Sequence, residues 1–348
     1  EWLRQNGFDD KHVPHQWIPF FVSWDEARRQ DPVLESFADF KTVVRLPGVS
    51  PDRINNIEHL LKEWPPHALF AFRHVRRITA PHLEITLTPG DEVWELNDNR
   101  GKTPTSWRVA KHTEHNFPEE LLEPLGTDER QAIKANGVSF LIAAPLEASC
   151  ATPTSEYLPV HVFYPTEQKG PVRLLLHAEF LVKSDRTALI PIDDSPFNTW
   201  VAKRLACQVC LFVNGAYWRE TPSRHTALLM PLEDRQSHPI AETLWQQIAE
   251  VSKAHLRLSD VQGEQRLAVD DALLVSVSVR PDLARKLLEA TDVQGQLLHY
   301  SFDEDKDARK AIKELGCGEI RDQGVMEIIA ENAALRALDH QWIWTCGE

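Results

Sequence analysis

The apolar positions of this chain change their period several times, and each change marks an element. Ile54, Ile57, Leu60, Leu61 and Trp64 recur every three to four residues, the spacing of one helix face. Ser50 and Pro51 suit the cap and first turn of that helix, and Pro65-Pro66 ends it. The period then drops to two over 69–78, 83–88, 92–96 and 107–112, which predicts an antiparallel sheet with a turn at 97–101. A short helix at 128–135 and Gly137 lead into a continuous apolar strand at 138–145, followed by strands at 159–164 and 172–182. Ser184-Asp185 suits the cap of a short helix starting near Arg186. Ser195-Pro196 caps a longer one with Phe197, Trp200, Val201, Leu205, Val209 and Phe212 on one face. The last third predicts a helix at 239–257, strands around 273–279 and 296–302, and helices at 306–315 and 324–338. Upstream, 2–35 lacks a period and reads as a surface loop with a short helix over 25–29, whereas 40–47 is a β-branched strand stopped by Pro47.

Length changes the picture first: 348 residues exceed one ordinary domain and are enough for two or three buried cores. The weakest joint is 213–223, where turn residues cluster. The chain opens on Glu1 rather than Met, so an excised or processed piece is expected. No run approaches the roughly 18 apolar residues of a membrane helix and no signal peptide is visible, so the expectation is a cytoplasmic protein. A net charge of −14 argues against direct binding of duplex nucleic acid, which needs clustered cations. Arg73, Arg76 and Arg77 form a small basic group that a solvated or ion-paired strand edge explains.

Candidate chemistry is sparse. The five cysteines lack a framework spacing, and the Cys207/Cys210 pair lacks the second pair of a structural zinc site. Lying in a helical pattern, those two read as buried thiols. No GxxxxGK[ST], GxGxxG, GxSxG or HExxH motif is present. His112 and His115 would face opposite sides of a strand, His12 and His15 flank a proline in a loop, and Asp193-Asp194 reads as a polar loop before a helix.

One ordered constellation stands out. The strand Lys41-Thr-Val-Val-Arg-Leu-Pro47 precedes a helix and a sheet. Then come Val138-Ser-Phe-Leu-Ile-Ala-Ala-Pro-Leu146, His161-Val-Phe-Tyr-Pro-Thr166 and Leu174-Leu-Leu-His-Ala-Glu-Phe-Leu-Val-Lys-Ser-Asp-Arg186, with Asn198 and Trp200 downstream. This order resembles the stretch after the ATP-binding domain in GHKL-superfamily, Hsp90-like ATPases, most closely the sacsin-related branch. It covers about 15–212 and is sharpest over 159–205.

The resemblance implies an α+β fold: residues 1–47 as the C-terminal edge of a GHKL ATP-binding domain, 48–212 as a transducer domain with a mixed sheet and a β-α-β element, and 213–348 as a C-terminal α/β module. By position Arg186 matches the arginine that reaches the ATP γ-phosphate, with Lys183 and Ser184 beside it on the same loop. A guanidinium suits that task because it is permanently charged and offers a planar fork to phosphate oxygens. The alternative is a surface arginine paired with Asp185 or Glu179. The chain departs from the chaperone pattern at Thr187 and Ile190, where a glutamate and a glutamine are expected. The superfamily's own ATP-site motifs are not found, so ATP and Mg²⁺ are expected on an upstream nucleotide domain, and this piece alone is expected to be inactive. The resemblance further implies a protein client or effector and a homodimer of the full-length protein. The rival expectation is a non-catalytic protein-interaction scaffold.

Overall fold

The computed structural model describes residues 24–30, 32–37, 50–72, 74–80, 82–101, 103–184, 187–217, 219–277 and 281–331. The chain divides into two compact units, 1–60 and 61–348. The strand expected at 40–47 lies outside the described residues.

The first unit contains α1 (Trp24–Gln30), a 3₁₀ turn at Pro32–Phe37 and most of α2 (Pro51–Lys62). Arg28 ties the two elements before α2 together, donating to Glu35 at 2.9 Å and to Asp25. The apolar stripe of α2, expected to be a buried face, is instead open at Ile54, Ile57 and Leu60, which are 46%, 45% and 57% exposed. Leu61 and Trp64, which continue the stripe, belong to the second unit and pack against its core.

The second unit is built on a mixed nine-stranded sheet. Its strands are β1 (Arg77–Ala80), β2 (Leu83–Thr88), β3 (Val93–Asp98), β4 (Thr105–Glu114), β5 (Val138–Glu147), β6 (Cys150–Ala151), β7 (Pro159–Val162), β8 (Tyr164–Lys169) and β9 (Leu175–Ala178). They run in the order β1-β2-β3-β4-β5-β9-β7-β8, with β6 folded back on the end of β5. All pairings are antiparallel except β7 with β9, which meet in parallel at His161 and His177. Alternation fixes the faces. Leu83, Ile85, Leu87, Trp94, Leu96, Trp107 and Val109 point to one side and pack on Leu69 and Phe70. Central strands β5 and β9 are covered on both faces, which is why their sequences are apolar without a period.

The expected strand at 69–78 is replaced by a 3₁₀ segment, Pro66–Phe70, and by β1, which starts only at Arg77. Pro65 and Pro66 explain the difference. Each lacks an N–H, and the Ala68 N–H closes back onto Pro65 O at 3.0 Å instead of joining a ladder.

The other face lies beneath α4 (Pro196–Gly215) and α5 (Pro239–His255), introduced after α3 (Thr127–Asn136) on the way into β5. Val201, Leu205, Val209 and Phe212 of α4 and Leu244, Trp245 and Ile248 of α5 share one core with Phe140, Ile142 and Leu176 of the sheet. The same core continues into Leu274, Phe302, Ile312 and Leu315. The joint expected between 212 and 213 therefore falls inside α4, in the middle of a continuous core.

Beyond α5 come a small hairpin, β10 (Leu258–Ser259) with β11 (Gln265–Leu267), then β12 (Leu273–Ser276), α6 (Pro281–Glu289), α7 (Lys306–Glu314), β13 (Gly318–Arg321) and α8 (Asp322–Glu331). β12 and β13 pair in parallel across the helical crossover. This is the helix-bearing β-α-β element, and it sits in the C-terminal third. The parallel pair within 48–212, β7 with β9, is bridged by a strand instead. The strand expected at 296–302 is a 3₁₀ turn at Asp292–Gln296, two isolated bridges at Leu297 and Leu298, and a helical turn at Ser301–Glu304. No described helix is long and apolar enough to cross a membrane.

Candidate functional site

Of the residues singled out by sequence, Lys183 and Ser184 fall on one arm of an antiparallel pairing between 181–184 and 187–190. Lys183 N donates to Ala188 O at 2.8 Å, Ile190 N donates to Leu181 O at 3.0 Å, and Val182 bridges Leu189. Lys183 and Ser184 are exposed on the outgoing arm. Asp185 and Arg186 lie outside the described residues. The helix expected to start near Arg186 does not include Thr187, whose carbonyl accepts from Glu167 N of β8 at 2.9 Å. Ladder pairing wins here because both arms find partners that a single turn of helix would leave open.

The hairpin is fixed at its root by Asn198. This residue is completely buried in the first turn of α4, where Ser195 Oγ caps the helix by accepting from Asn198 N at 3.2 Å. Its side chain then spans both arms. Oδ1 accepts from Leu181 N at 2.7 Å, while Nδ2 donates to Leu181 O at 3.0 Å and to Ile190 O at 2.9 Å. On the far side Gln168 Oε1 accepts from Leu189 N at 2.8 Å. An arm held at its base from two elements presents its tip with little freedom at the root.

Two concavities flank the root. The first runs along Lys183 and Ser184, with Phe163, Phe180, Leu125 and Glu129 in its walls. The second is a pocket of about 210 Å³ on the opposite sheet face, lined among others by Lys111, Ser139, His177 and Glu179 and walled by Phe70 and Phe72. Phe163 lines both. Its φ of 61° places a bulky side chain in the left-handed region, a conformation that persists only where surrounding contacts enforce it. Here Phe163 N and His161 O lie 3.4 Å and 3.2 Å from His177 Nδ1, and the Phe163 and His177 rings meet at 5.3 Å, tilted by 58°.

Beside His177 the His67 and His161 rings meet edge to face at 5.5 Å. His161 Nδ1 lies 2.8 Å from Pro159 O, whereas Nε2 of both rings is buried without a hydrogen-bond partner in the protein. Burial pushes His161 down to about 3 and His67 down to about 4, so both rings are neutral at pH 7. No cluster of three or more His, Cys, Asp or Glu among the described residues can hold a metal. Cys207 and Cys210 are free thiols on α4, and burial raises Cys210 to about 11, far from the thiolate that redox chemistry requires.

Sequence reasoning passed over Asn198 as a structural anchor and Lys111 as a site residue. The alternation of β4 contains the signal for the second: Trp107 and Val109 point into the core, so Lys111 and Thr113 project on that same face where the core gives out. Comparison with protein-family models, curated proteins and solved structures finds no significant match for this chain.

Proposed function

We propose that this chain is the transducer portion of an Hsp90-like, sacsin-related ATPase. In this reading a GHKL nucleotide domain binds ATP and Mg²⁺, and Arg186 reaches the γ-phosphate, with Lys183 and Ser184 beside it in sequence. Closure of the nucleotide domain onto the hairpin is passed through α4 to the C-terminal α/β module and its client or effector. Residues 1–47 are then the edge of the nucleotide domain and 48–212 the transducer. The observation that carries the reading is the exposed pair Lys183 and Ser184 on an arm clamped at its root by Asn198. Phosphoryl transfer rewards a cation delivered in trans at a fixed distance, and a domain-border loop lets movement gate the reaction.

The test is ATP turnover by the full-length protein, wild type against Arg186→Ala, with nucleotide affinity measured alongside. A fall of roughly 10³ or more with ATP still bound is expected for an arginine that stabilises the transition state. Unchanged turnover, or none in the wild type, sinks the proposal. The open Ile54, Ile57 and Leu60 stripe favours the second reading, a non-catalytic scaffold that uses the same fold to hold a protein partner.

A further inference from the structure

The pocket walled by Phe70 and Phe72 brings together side chains from neighbouring strands. Lys111 stands opposite Leu141, which stands opposite His177, and Thr113 stands opposite Ser139, so the polar groups form two adjacent rows on one sheet face. Lys111 is exposed, but its Nζ sits 4.0 Å from the centre of the Trp94 ring. The Arg76 guanidinium lies 5.6 Å from the same ring, placing two cations on one indole. Burial against these neighbours, and then the Arg76 charge, hold the Lys111 ammonium below the usual lysine range. Lys111 makes no ion pair with a carboxylate among the described residues. The pocket therefore offers an ammonium without an ion-pair partner among the described residues beside two hydroxyls, with aromatic walls and room for a ring rather than a nucleotide. Glu179 places one negative charge in the same pocket, which disfavours a dianion such as phosphate.

We propose that this pocket binds a small organic monoanion, its carboxylate on Lys111 and the Ser139 and Thr113 hydroxyls and its apolar body against Phe70, Phe72 and Phe163. The site is independent of the nucleotide reading. It is tested by calorimetric titration with benzoate, with uncharged benzamide as the isosteric control, on the wild type and on Lys111→Met, which retains an aliphatic stem over Trp94. Benzoate is expected to bind with a millimolar or tighter dissociation constant and to shift the His177 ring resonances. Lys111→Met is expected to weaken benzoate at least about tenfold, and benzamide to bind the wild type as weakly. Absent benzoate binding, equal binding of benzamide, or unmoved His177 resonances overturns the proposal. The benzoate–benzamide comparison on the wild type stands even if the variant folds poorly, which its thermal midpoint reports.

Discussion

Replacing Asn198 by alanine deletes one acceptor and two donors that hold the hairpin at 181–190. Leu181 O keeps a second partner in Ile190 N, but Leu181 N and Ile190 O are left with none. Each lost hydrogen bond is worth about 1 kcal/mol, and orphaned backbone groups add desolvation where water cannot follow. Three bonds give about 3 kcal/mol, which for a unit of this size lowers the thermal midpoint by about 6 °C. Local opening is expected to exceed the global effect, because the clamp acts on the hairpin root and α4 retains its Ser195 cap. Amide exchange at Leu181, Lys183 and Ile190 should accelerate well beyond that in β5. Asn198→Asp should do more damage than alanine, since a carboxylate would face two carbonyl oxygens. A midpoint within about 1 °C of wild type, with exchange unchanged at those three amides, would refute the clamp.

Three further outcomes follow from the geometry. Gly137 adopts φ 72° between α3 and β5, and a Cβ there would sit 2.7 Å from Thr113 Cγ2 and 2.8 Å from Glu114 O. Gly137→Ala should therefore cost about 2–4 kcal/mol in urea unfolding. Ala148 and Ser149, which join β5 to β6, both have positive φ, 48° and 70°. Recasting the pair as Asn-Gly should raise stability by about 1 kcal/mol, and an unchanged urea midpoint would contradict the strain. Burial lowers His67 to about 4, His161 to about 3 and His225 to about 4, from 6.5 in the exposed state. Between those limits the unfolded chain binds more protons. Stability should be complete above pH 6.5 and fall as pH drops towards 4, by up to about 1.4 kcal/mol per pH unit for each ring. Urea midpoints at pH 7 and 5 check this, and equal midpoints would refute it.

The local elements of this fold are largely legible in the sequence, because a two-residue or helical period reports which face is buried. β2, β3, β4 and β5, α4 and α5 fall where the pattern puts them, and the cap at Ser195-Pro196 is readable as such. What the pattern hides is pairing between distant segments. β13 is only four residues long and becomes a strand because β12 lies beside it in parallel. β9 inserts between β5 and β7, and nothing local announces that order. Of the site, the hairpin loop was visible as a motif but its backbone conformation was not. The Asn198 bonds that hold the hairpin join Leu181 and Ile190 to a helix at 198, and cap chemistry alone accounts for an asparagine near a helix start.

The continuity of one core across α4 has a practical consequence for anyone dividing the gene. A truncation ending at 212 would cut α4 before its end and strip away Leu244, Trp245 and Ile248 of α5, exposing part of the core they share with α4 and the sheet. Such a fragment trades a folded interior for a sticky surface and should aggregate on expression. Residues 61–348 carry the whole nine-stranded sheet together with α4 and α5.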